Sequence, residues 1–201
     1  MNRRDFLRQT ATITTEAIGA GILLTLLATS KNQTSWVTPE FERRGLIRPP
    51  GSVEESDFLS RCIRCQRCSD VCESHCIKLF TPGSGKQEFT PYIVPEQKAC
   101  SLCLKCGEAC PTGAILPLHE KRLAKMGTAV VDEQLCVSHN GTGVCGACFT
   151  ICPLRGKAIT QSAHNKPTVH EEHCVGCGLC EEACIVDYDK AIRVYSQRRW
   201  S

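Results

Sequence analysis

The sequence predicts an α+β fold of two fused modules, each made of two strand–loop–helix–strand units, preceded by a helical N-terminal segment and an irregular linker. Three observations predict it. Sixteen of the 17 cysteines fall into four groups on variants of one spacing, CxxCxxCxxxC: Cys62, Cys65, Cys68, Cys72; Cys100, Cys103, Cys106, Cys110; Cys136, Cys145, Cys148, Cys152; and Cys174, Cys177, Cys180, Cys184. Short β-prone runs enter and leave these groups. The first 30 residues differ in composition from everything that follows.

The cysteine spacing is that of bacterial ferredoxins, in which three close thiolates hold one 4Fe-4S cluster and the fourth reaches across to a second. The fold class is therefore two fused bacterial-ferredoxin-like modules, with the sixteen cysteines as the expected iron ligands of four 4Fe-4S clusters. Cysteines at i, i+3 and i+6 on a tightly wound loop point three sulfurs at one cube, and the amides between them donate hydrogen bonds that tune its potential. The fourth cysteine is expected to start the next short helix and face away. Pro111 and Pro153 follow it in two groups, fixing φ and removing a donor. Glu73 and Ile185 stand there in the others, so proline is not required.

In chain order, residues 1–30 read as a signal segment. Asn2-Arg3-Arg4-Asp5-Phe6-Leu7-Arg8 has the form of a twin-arginine export motif, with Arg3 and Arg4 as the paired basic residues. The uncharged stretch from Ala17 to Ser30 is rich in Leu, Ile and Ala but shorter than the about 20 residues of a membrane span, as a signal h-region is. Ala28-Thr29-Ser30 admits cleavage, and retention as an N-terminal anchor stays open. Residues 31–51, with Pro39, Pro49 and Pro50, are expected to be an irregular linker. Ser52-Val53-Glu54-Glu55 has the form of a capping box for a helix that carries Phe58 and Leu59 into the first cysteine loop. The four cluster units then occupy 52–90, 91–126, 127–163 and, with the tail, 164–201. Tyr92-Ile93-Val94, Thr128-Ala129-Val130-Val131 and Thr168-Val169-His170 enter the second, third and fourth loops, while Ala114-Ile115-Leu116, Lys157-Ala158-Ile159-Thr160 and Ala191-Ile192-Arg193-Val194 leave them.

Other cysteine chemistries fit less well. Structural zinc takes two CxxC pairs separated by a longer loop. A disulfide framework suits an exported chain, but no disulfide geometry demands four repeats in strict register. Thioredoxin-like chemistry lacks its βαβ setting. Two departures mark the repeat. Cys136 and Cys145 are separated by eight residues including Asn140-Gly141-Thr142-Gly143, a loop that can bulge outward and still deliver Cys136. Cys76 is left over and reads as a small buried residue that could stand in for Cys72. His75 and His139 lie near the loops without ligand spacing.

No Ser-His-Asp arrangement and no glycine-rich dinucleotide loop appears, so no catalytic site of its own is expected. The net charge of +3 is too mild to argue for nucleic acid. Aromatic residues make up only 5%, so the apolar core must be small and the clusters must replace much of it; an apoprotein is not expected to fold.

The stretch RPPGSVEESDFLSRCIRCQRC (48–68), the enlarged third loop and PTVHEEHCVGCGLCEEAC (167–184) together resemble the MauM/NapG family of exported ferredoxin-type proteins, and the likeness runs from the twin arginines to Val194. The resemblance implies a periplasmic protein exported already folded by the twin-arginine translocation machinery. It would relay electrons through four 4Fe-4S clusters between a membrane quinol dehydrogenase and a periplasmic reductase or its cytochrome, a nitrate-reductase-type system above all. A methylamine-utilisation branch is its sibling. The other reading is an accessory or maturation protein that binds clusters without carrying current. Likeness to the β subunits of molybdopterin oxidoreductases further implies nested pairing: Cys100, Cys103, Cys106 with Cys152; Cys136, Cys145, Cys148 with Cys110; Cys62, Cys65, Cys68 with Cys184; and Cys174, Cys177, Cys180 with Cys72. Sequential pairing, first group with second and third with fourth, fits the spacings almost as well and stays open.

Overall fold

The computed structural model describes residues 44–187, 189–196 and 198, all within one unit spanning Pro39–Ser201. Arg3, Arg4, the apolar stretch at 17–30 and most of the expected linker lie outside the described residues.

Each element is short, since the cysteine loops interrupt the chain before a helix or strand can propagate. In order they are α1 (Glu55–Arg61), α2 (Arg67–Asp70), β1 (Ile77–Leu79), β2 (Pro91–Ile93), α3 (Lys105–Ala109), β3 (Thr128–Val131), α4 (Ala147–Ile151), β4 (Ile159–Gln161), β5 (Pro167–Val169), α5 (Leu179–Glu182) and β6 (Ile192–Tyr195). The expected β-prone runs overlap β2 to β6. Ala114-Ile115-Leu116 forms no strand and makes one isolated bridge, Ile115 opposite Ser52. The reason is local: Pro49, Pro50 and Pro117 flank the pair and carry no amide hydrogen to extend a ladder.

Three two-stranded antiparallel sheets give the topology. In the N-terminal half β1 pairs with β2, Ile77 opposite Ile93. Outside that hairpin, the Leu116 amide donates to the Gly51 carbonyl at 2.8 Å and the Val53 amide to the Ala114 carbonyl at 3.1 Å. In the C-terminal half β4 pairs with β5, Ile159 opposite Val169, and the outer strands β3 and β6 close with Thr128 opposite Tyr195 and Val131 opposite Ile192. Both halves therefore follow one plan. The strand leaving the first cysteine loop pairs with the one entering the second, and the outer segments pair around them.

Two expectations change here. The capping box does not form: the N-cap of α1 is Glu54 without a side-chain bond, and the Ser52 hydroxyl donates to the Pro49 carbonyl at 2.7 Å. Glu55 is drawn away by Arg48, whose guanidinium binds it at 2.5 Å. Residues 44–50 are also no loose linker end. Leu46 is 0% and Arg48 1% exposed. The Leu46 amide donates to the Arg198 carbonyl at 2.9 Å, the Ser196 amide to Arg44 at 2.8 Å and the Ile93 amide to Ile47 at 2.9 Å, so this strap is bonded to both halves. Gly45 makes it possible: its φ is +72°, and a Cβ there would meet the Ser196 carbonyl oxygen at 2.2 Å.

The strap carries two buried cations that the sequence reading did not single out. Arg48 also bonds the Thr90 hydroxyl at 2.9 Å, the Pro91 carbonyl at 2.6 Å and the Gln87 side chain, and lies 4.3 Å over the Phe58 ring. Arg44 pairs with Glu181, a fully buried carboxylate that also accepts the Val194 amide at 2.7 Å. Burial pushes the Glu181 carboxyl up, against the opposing pull of Arg44. The hydrophobic core is one continuous cluster in which Ile47, Phe58, Ile115, Ile159 and Val194 pack together with buried cysteines. Among the described residues, no helix is long and apolar enough to cross a membrane.

Candidate metal centres

Three of the four cysteine loops are wound alike. Left-handed φ recurs at Arg64 and Gln66, at Leu102 and Leu104, and at Gly176 and Gly178. This winding turns amides inward: the Leu102 N–H points at Cys100 Sγ, 3.4 Å away. Four of the six residues have side chains, so the first two loops hold backbone strain of about 1–2 kcal/mol per residue that the glycines of the fourth avoid.

The third loop reaches the same end differently. Its eight-residue spacer closes on itself: Asn140 Oδ1 accepts the Thr142 amide at 3.0 Å and the Gly143 amide bonds the Val137 carbonyl at 3.1 Å. Buried Ser138 then pins the far end, its hydroxyl accepting the Cys145 amide at 2.9 Å and donating to the Cys145 carbonyl at 3.2 Å. Cys136 is thereby held beside Cys145 and Cys148. Ser138 was not legible as the pin, because only the folded loop brings it to Cys145.

The short helices contain the third cysteine of each group and not the start at the fourth that was expected. Cys68, Cys106, Cys148 and Cys180 lie in α2, α3, α4 and α5. Cys110 and Cys152 are C-caps, and Cys72 and Cys184 follow the caps of α2 and α5. A helix of one turn thus carries the chain from one cysteine set to the next.

The sets are sequential. Cys62, Cys65 and Cys68 share a cavity with Cys110; Cys136, Cys145 and Cys148 with Cys184; Cys174, Cys177 and Cys180 with Cys152. Each of these cavities is small, apolar and ringed by four sulfurs, as three sites for one kind of guest would be. Cys72 is placed beside the second group by its sulfur, 3.6 Å from that of Cys76, which is itself hydrogen-bonded to Cys100. The nested grouping does not form. All three sheets lie within one half or the other, and their antiparallel closure sets the end of each helix against the facing loop of its own half.

Cys76 is buried beside this second set, its sulfur 3.6 Å from Cys72 Sγ. His139 is occupied through Nε2 with the Pro167 carbonyl at 3.0 Å. Among the described residues no three His, Cys, Asp or Glu side chains close on a point that would hold a single metal ion. The cysteines ring spaces instead.

The donor set suits a polynuclear iron group. The cavity walls are almost wholly apolar atoms and sulfur: Ala129, Ile159 and Val194 at the fourth group, Val131 and Ile192 at the third, Phe58 and Ile115 at the first. Burial pushes the thiols of Cys68 and Cys106 up to about 12 and those of Cys148 and Cys177 to about 11, with neighbouring thiols adding to it. Four such sulfurs become thiolates together only around a cation. Cys110 is the exception: burial acts on it too, but the amides of Ile115 and Thr112, the Thr112 hydroxyl and the Ala114 amide hold it below the usual thiol range.

Comparison with known proteins agrees. Residues 61–114 match the 4Fe-4S dicluster domain family and residues 167–187 the 4Fe-4S binding domain family. The methylamine utilization ferredoxin-type protein MauM of Methylobacillus flagellatus is 38% identical over 74% of this chain and 68% of its own length. The ferredoxin-type protein NapG of Haemophilus influenzae is 34% identical over 96% of this chain and 71% of its own, and NapG of Escherichia coli 36% identical over 74% and 69%. The chain belongs to the MauM/NapG family of ferredoxin-type proteins. As a member of that family it carries ferredoxin-type 4Fe-4S domains, and the dicluster match spans the first two cysteine groups as one domain. The two matched stretches leave 115–166, with the enlarged third loop, between them.

Proposed function

We propose that the protein is a periplasmic electron relay of two ferredoxin modules holding four 4Fe-4S clusters. The ligand sets are Cys62, Cys65, Cys68 and Cys110; Cys100, Cys103, Cys106 and Cys72; Cys136, Cys145, Cys148 and Cys184; Cys174, Cys177, Cys180 and Cys152. The observation that carries this reading is the convergence of four cysteines, three from one loop and one from its neighbour, on each of three small apolar cavities. A 4Fe-4S cluster held in such a site supplies a one-electron carrier whose potential depends on burial and on hydrogen bonds to sulfur. The chain's own work is to keep water from the sulfurs and to aim amides at them, as Leu102 does at Cys100, Ile115 at Cys110 (3.5 Å) and Ala129 at Cys174 (3.4 Å).

Export by the twin-arginine route rests on Arg3-Arg4 and the apolar stretch behind it. A membrane quinol-oxidising donor and a periplasmic reductase as acceptor are supported by the family resemblance alone. Anaerobic iron and sulfide analysis with EPR of the reduced protein tests the core of the proposal: about 16 irons per chain in interacting cubes are expected, four for each site. Zinc in a colourless protein would sink it. Clusters that never change oxidation state while the donor and reductase turn over would refute the relay and leave an accessory role.

A further inference from the structure

The halves meet where two cysteine loops touch. The Cys100 amide donates to the Cys177 carbonyl at 3.0 Å, so a residue of the second set is bonded through its backbone to a residue of the fourth. The same edge is fastened again by Glu182, which accepts the Ala99 amide at 2.8 Å and pairs with Lys98 at 2.9 Å. Gly178 fits against Pro95 so closely that a Cβ there would lie 2.3 Å from the proline Cβ. The first and third sets are turned to solvent instead: Cys65 and Ile63 are exposed at the first, the latter 62%, and Val144 and Ile185 are 68% and 59% exposed at the third.

We infer that the four sites stand in the spatial order first, second, fourth, third, which differs from their order in the chain, and that electrons enter and leave at the first and third. The inference rests on the relay reading above. Within each half the two sets are neighbours by construction, because each loop lends its fourth cysteine to the other. Between halves, the Cys100–Cys177 bond makes the second and fourth sets the adjoining pair. One electron leaves a site as its neighbour gains it, with no bond made or broken; the reductant is the quinol-oxidising partner and the oxidant the terminal reductase.

Spin coupling in reduced protein tests the order without any partner. In Cys65→Ser and in Cys145→Ser, each lacking an end site, the three remaining clusters are expected to form one coupled chain with no isolated spin. In Cys103→Ser, lacking the second site, one isolated spin per molecule is expected beside one coupled pair. An isolated spin in either end variant overturns the order while leaving the relay intact. Should Cys103→Ser not accumulate, the two end variants still decide. Absence of iron from the unaltered protein overturns the relay reading and the order with it.

Discussion

The N-terminal and C-terminal halves share one topology and are held shut by different means. The C-terminal half closes with a four-residue ladder, β3 on β6, with side chains of Ala129 and Val194 filling its inner face. The N-terminal half closes with a single bridge, Ser52 to Ile115, because prolines strip the flanking amides. What replaces the ladder is the Arg48 network, a buried guanidinium bonded to α1, to Gln87 and to the entrance of β2. The loops differ in the opposite sense. The N-terminal half winds both loops uniformly at the cost of four strained side chains, whereas the C-terminal half has glycine in one loop and a self-closing insertion in the other. The comparison teaches that the cysteine geometry is the invariant and that the backbone reaches it by whatever local means the sequence supplies.

The largest effect is expected from Arg48→Ala. It leaves buried Gln87 without its donor and half-buried Glu55 with only Arg198, 3.8 Å away, as its cation, a loss of about 3 kcal/mol. EPR should show the first two clusters lost and the third and fourth retained; equal loss from both halves would mean that they do not stand separately. Ser138→Ala removes the pin of the third loop at about 1–3 kcal/mol. Its expected signature is lower iron occupancy at the third site only, read by iron analysis after mild chelation. Cys76→Ala should cost about 1 kcal/mol of packing and keep the full iron content, while Cys72→Ala loses iron; if both lose iron alike, Cys76 is a ligand. The smallest effect is a gain. Exposed Gln66 has φ +65°, and Gln66→Gly relieves about 1–2 kcal/mol of strain against about 0.5–1 kcal/mol of chain entropy, so denaturation should show slight stabilisation of the N-terminal half.

Much of this was legible in the sequence because iron-ligand spacing is a local property. The four cysteine groups, the β-prone runs from Thr128 and Ala191, and α1 leading into Cys62 needed no knowledge of the rest of the chain. What failed was long-range. Nested and sequential pairing place identical demands on each loop, and only the strand partners, β1 with β2 and β3 with β6, decide between them. The capping box was a true local pattern that lost to a stronger partner, Arg48, seven residues before Glu55. Residues 44–50 read as linker because Pro, Gly and Arg favour irregular exposed chain, yet Arg44 is buried against Glu181, 137 residues away. Ser138 and Glu181 carried no signal at all, since nothing in their neighbours announces burial.

The account stands most directly on which thiol joins which set. An anaerobic crystal structure of the iron-loaded protein should show Cys110 Sγ bonded to the same cluster as Cys62, Cys65 and Cys68, and Cys184 to that of Cys136, Cys145 and Cys148. Cys110 bonded to the cluster of the third group would contradict it.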